Sequence, residues 1–104
     1  MIKKMKNIEM VQKVNSLMEF VKKDKEVPVK LSCAIAANIK TLLSELEIYE
    51  QERKKIIEND LGDERFKELC DVETDINIRS VSQNVVEGLA ISTKDYMALE
   101  FMIE

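Results

Sequence analysis

Arg53 holds the position in this chain where side-chain chemistry is most sharply constrained. Ile35, Ile39, Leu42, Leu46, Tyr49, Arg53 and Ile56 alternate spacings of four and three, a heptad seam interrupted once by charge. A guanidinium on such a seam costs several kcal/mol if buried alone, so it needs a carboxylate, water or an anionic ligand. An acid from the C-terminal region or from a second chain would serve equally well. Tyr49, one turn earlier, can stack on or hydrogen-bond the same group. Asn38 flanks the stripe three turns before that, either to set helix register or to touch a partner. Asn38, Tyr49 and Arg53 are therefore the expected binding residues, for a protein partner or a small anionic ligand.

Other chemistry has less to work with. The chain has no His, which removes the usual general base and most transition-metal sites. Its acids pair at Glu45 with Glu52 and Glu47 with Glu50, on helix faces outside the seam. A glycosidase-like pair needs a cleft and an aromatic platform, and only three Phe and two Tyr are present. Asp60, Asp63 and Glu64 could hold Mg²⁺ or Ca²⁺, but they lack the alternating acids of a calcium loop, and a solvated helix cap is the favoured reading. Gly62 and Gly88 are too far apart to cradle a phosphate. Cys33 and Cys70 form no C-x-x-C pair and read as reduced thiols. The expectation is a non-enzymatic protein without cofactor or metal.

Charge is divided along the chain. Residues 1–30 hold eight Lys against four acids, a net +4, and residues 41–75 hold twelve acids against five bases, a net −7. A basic first helix lying on an acidic second one would explain this, as would oppositely charged ends joining in different subunits. Nucleic-acid binding needs an uncompensated basic stripe. Only Lys3, Lys4 and Lys6 with Lys22, Lys23 and Lys25 offer one, and it is not expected. Met1-Ile-Lys-Lys-Met-Lys lacks the apolar run of a signal peptide, and no stretch approaches the ~20 apolar residues of a membrane span. A soluble, cytoplasmic protein is expected.

The elements that must position these residues follow from periodicity. A chain of 104 residues, 45% hydrophobic with two Gly and one Pro, fits one mainly helical domain of α+β class. From Asn7, a candidate cap, Ile8, Val11, Val14, Leu17, Met18 and Val21 recur at helical spacing until the polar run before Pro28. Lys30 to about Asn59 has no Gly or Pro and predicts one long helix, so residues 7–59 form a helical hairpin. The long helix outruns its predecessor, and its stripe would need covering by the C-terminal region or by another copy, which favours an oligomer.

Residues 60–104 form a small α+β part. Gly62 should take positive φ at the end of the long helix, and Asp63 should cap a short helix carrying Phe66, Leu69 and Cys70. Val72, Thr74, Ile76 and Ile78 alternate with polar residues as a half-buried strand. That strand needs a partner, from Val27–Val29, from around Leu89–Ile91, or from a second subunit. Residues 82–88 fit a strand or, preferably, a helical turn capped by Ser82. Ser92 or Thr93 should cap a last helix with Asp95 in its first turn and Tyr96, Leu99, Met102 and Ile103 on one side.

Three segments carry a resemblance. Pro28-Val-Lys-Leu-Ser-Cys-Ala-Ile-Ala-Ala-Asn-Ile-Lys40, Glu45-Leu-Glu-Ile-Tyr-Glu-Gln-Glu-Arg-Lys54 and Leu99-Glu-Phe-Met-Ile-Glu104 resemble a family of small proteins encoded by phages and prophages of Gram-positive bacteria, whose function is generally recorded as unknown. The resemblance implies a viral setting and supplies no catalytic residues. In that setting, the expected function is an oligomeric binding protein that captures a host factor or a small anionic ligand, as inhibitors of host defence do. The alternative is an accessory or chaperone-like role in virion head or tail assembly.

Overall fold

A computed structural model describes residues 1–104. Its frame is a hairpin of two helices, α1 (Asn7–Lys22) and α2 (Val29–Glu58). Met10, Val14, Leu17 and Phe20 of α1 are buried against Leu31, Ile35, Leu42, Leu46 and Tyr49 of α2. Asp24 ends the first helix at φ 51°, and Pro28, whose fixed φ suits a helix start, precedes the second. At 30 residues, α2 is about 45 Å long and spans most of the 49 Å length of the molecule.

α2 closes with a Schellman turn built on Asp60, not Gly62. Asp60 has φ 51°. Leu61 N–H donates to Ile56 O at 3.1 Å and Asp60 N–H to Ile57 O at 3.3 Å, the paired bonds of that motif. Gly62 instead opens α3 (Asp63–Asp71) with φ 86° and ψ 171°, and no side chain caps that helix, Asp63 being its first residue. This backbone region is essentially glycine's alone. Gly62→Ala should therefore cost about 1 kcal/mol in urea denaturation, although an added Cβ would meet nothing within 4 Å.

The strand partner differs from every expected one. β2 (Glu73–Asn77) pairs antiparallel with β1 (Ile2–Lys6), Lys3 opposite Ile76 and Met5 opposite Thr74. Met5, Ile76 and Ile78 point into the core, whereas Lys4 faces Asp75 and Lys6 faces Glu73 across the strands. Opposed charges of this kind contribute roughly 0.2–1 kcal/mol per pair. The basic start of the chain is thus matched to an acidic strand of the same chain, and no ion pair joins α1 to α2. Asn7 does not cap α1. Its Nδ2 donates to Leu69 O at 2.8 Å and its N–H to Val72 O at 3.0 Å, while Lys6 N–H donates to Glu9 Oε1 at 3.1 Å.

After β2 come α4 (Gln83–Val86) and α5 (Thr93–Leu99), then a 3₁₀ turn at Glu100–Met102. Ser82 precedes α4 but bonds the Asn84 side chain and caps no backbone group. Ser92 does cap α5, its Oγ accepting from Asp95 N–H at 3.1 Å. One core of 18 buried residues unites the hairpin with residues 60–104. The α2 stripe from Leu31 to Tyr49 is buried within it, so that stretch needs no second copy to cover it. No helix is long and apolar enough to cross a membrane.

Candidate functional site

Asn38, Tyr49 and Arg53 do not converge. Asn38 and Arg53 are separated by about 22 Å along α2, and each has a different surrounding. Asn38 is 1% exposed and clamps the backbone of one residue of the C-terminal part. Its Nδ2 donates to Arg79 O at 2.9 Å and its Oδ1 accepts from Arg79 N–H at 2.8 Å. Both bonds are internal, so Asn38 fixes how α2 sits against the segment after β2 and presents no group to a partner.

Tyr49 is buried at the far end of the stripe. Burial pushes its phenol above the ordinary value of 10.0; the adjacent Cys70 thiol and Glu50 add to the rise, and Arg53 opposes it. Arg53 itself is on the surface. Its side chain is 45% exposed and stands 3.8 Å from Glu50, one turn away on the same helix. The seam continues through Arg53 as a pattern, but its cover stops first. Val11 lines the same groove as Leu46 and Glu50, and α1 begins only about one turn further on. No buried guanidinium calls for an anion here, and Arg53→Ala should change the urea-denaturation free energy by less than about 0.5 kcal/mol.

The remaining candidates are equally dispersed. Glu45, Glu47, Glu50, Asp60, Asp63 and Glu64 are exposed, and no three His, Cys, Asp or Glu side chains are placed to hold a metal ion. Cys33 is an exposed free thiol and Cys70 a half-buried one. Of the lysines that might have formed a basic stripe, Lys4 and Lys6 face acids across the sheet, and Lys23 and Lys25 both bind Asp95.

Asp95 is a polar feature that sequence reasoning saw only as a helix-start acid. It is 3% exposed. Lys23 pairs with its Oδ1, Lys25 Nζ lies 3.3 Å from its Oδ2, and Lys25 also donates to Ala90 O at 3.1 Å. The Lys23 hydrogen bond, against the opposing pull of burial, leads the interactions that hold this carboxyl at about 2, below its ordinary 3.8, with Ser92 N–H and Lys25 assisting. The cluster locks α5 onto the α1–α2 turn. It is saturated by internal partners.

A surface was missed as well. The C-terminal part covers one side of the α1–α2 hairpin, and the other side is bare. Met18, Val21 and Leu43 are 42%, 53% and 46% exposed. Two concavities lie along the α1–α2 junction. One, of about 390 Å³, is lined by Val21, Ala36 and Ile39 among others. The second, of about 370 Å³, is lined by Val11, Leu43 and Leu46 with Glu47 and Glu50. The signal was present in Val11, Met18 and Val21, three of the apolar positions that recur along the first helix. A stripe that wide on α1 has more apolar residues than one contact can bury.

No family model, curated protein or solved structure matches the chain.

Proposed function

We propose that this protein is a non-enzymatic binding protein that works as an oligomer, using the uncovered side of the α1–α2 hairpin to assemble. The observation that supports the reading is the set of large apolar side chains, Met18, Val21 and Leu43, left about half exposed beside two grooves. Contiguous apolar surface with grooves marks interaction sites, in contrast to singly scattered apolar residues. In the viral setting that the resemblance implies, the proposed partner is a host protein of a defence pathway, held by the assembled particle. A small anionic ligand is no part of this reading, because Arg53 lines neither groove and already neighbours Glu50.

Light scattering across a concentration series should give more than one chain per particle, and a mass of one chain throughout would refute the oligomer. Pull-down from infected cells then separates the two viral roles. Recovery of a host protein favours interference with defence. Recovery of head or tail proteins favours virion assembly.

A further inference from the structure

We propose that two copies stack the bare sides of their α1–α2 hairpins face to face, with the ends reversed, into a four-helix bundle. The proposal rests on the oligomeric reading above and names its interface. On α2, Ala36, Ile39 and Leu43 follow one another at spacings of three and four, and on α1 Val11, Met18 and Val21 recur at spacings of seven and three. That is the pattern by which helices interdigitate in bundles. A face as long as the 16-residue α1, about 24 Å, and two helices wide, about 20 Å, offers roughly 500 Å² in projection. Side-chain relief enlarges this to the scale of the smaller stable interfaces, roughly 600 Å² per partner.

Symmetry and charge select the arrangement. A two-fold pairing uses the same surface on both copies and closes, leaving no site for further growth. Two such pairings bring the bare sides together, one with like ends aligned and one with ends reversed. Glu47 and Glu50 line the groove at one end and Asp24 and Lys25 the groove at the other, and between them Lys40 and Glu47 stand one turn before and one turn after the exposed Leu43 on α2. Lys22, Lys40 and Glu47 have no ion-pair partner within the chain. Aligned ends would lay α2 of each copy on α1 of the other and keep Lys40 and Glu47 at different levels. Reversed ends, with Leu43 opposite Leu43 of the second copy, bring Lys40 of each copy beside Glu47 of the other. Only the reversed order brings these opposite charges together, and they fix its register.

The test combines the particle mass of the wild type, by light scattering, with three variants. Leu43→Glu places a charge at the two-fold axis and should weaken the dimer by about tenfold or more, while circular dichroism shows the helices intact, since Leu43 is already half exposed. Met18→Glu is the second face variant and should act alike. Lys40→Glu should weaken the dimer, and Lys40→Glu combined with Glu47→Lys should restore it. A wild-type dimer that Leu43→Glu and Met18→Glu leave unchanged overturns this interface, although the oligomeric reading survives. A dimer broken by Leu43→Glu but not restored by the charge exchange overturns the reversed order. A wild type that stays monomeric overturns both the interface and the oligomer.

Discussion

Asn38→Ala should lower the folding free energy by about 3 kcal/mol, an effect at the upper end for a single side chain of this size. The amide is 1% exposed and its two bonds to the backbone C=O and N–H of Arg79, at 2.9 and 2.8 Å, satisfy both an acceptor and a donor there. Removing the amide leaves that N–H and C=O without partners, at about 1–3 kcal/mol, and opens a small void beside Met102, whose Sδ lies 3.5 Å from Nδ2. Asn38→Leu separates the two contributions, because it keeps the volume and loses the bonds. It should remain destabilised by most of the same amount. Urea denaturation measures both variants, and amide hydrogen exchange at Arg79 gives an independent readout, with faster exchange expected in each. A loss below about 0.5 kcal/mol for Asn38→Ala would mean that water replaces the clamp.

The second large effect belongs to Asp95. Its carboxylate caps α5 through Ser92 and receives both Lys23 and Lys25. Asp95→Ala should cost about 2 kcal/mol at neutral pH: about 1 from the lost capping interaction, and about 1 from the charge-assisted bonds to lysines that are themselves 41% and 36% exposed and can return to water. The pH dependence has a definite sign. The folded carboxyl sits at about 2 against an ordinary 3.8, so its stabilising contribution is complete above the unfolded value. That contribution is lost as pH falls from about 4 towards 2. Asp95→Asn retains an oxygen for the cap and removes the titration. Thermal melts of the two proteins should therefore converge between pH 4 and 2, the wild type losing stability faster. Parallel acid limbs would show that the lysines do not engage this group.

Much of the fold was legible because its signals are local. The absence of Gly and Pro over thirty residues and the stop at Pro28 placed α2 within a residue at each end. Ser92 with Asp95 three positions on marked the start of α5, and the alternation through Ile76 and Ile78 marked β2. β1 was hidden because its inward residues, Lys3 and Met5, include a lysine, and three lysines in six positions obscured the alternation. The strand's partner lies some seventy positions away in sequence, beyond the reach of periodicity.

The site was less legible for the same reason. A heptad pattern identifies which side of a helix is apolar but not where its cover ends, and that end decides between a buried Arg53 and the exposed one observed. Asn38 was recognised as polar on an apolar stripe; its partner, the backbone of Arg79, carries no sequence signature. The charge division pointed to internal attraction, yet the ion pairs run from Lys6 to Asp71 and from Lys23 and Lys25 to Asp95, not between the two hairpin helices.

The particle mass of the intact protein in dilute solution tests the central claim most directly. Light scattering should give twice the mass of one chain at micromolar concentration, falling to one chain in Leu43→Glu. A mass of one chain for the wild type at every concentration would contradict the account, and Met18, Val21 and Leu43 would then be solvent-facing residues with no surface to bind.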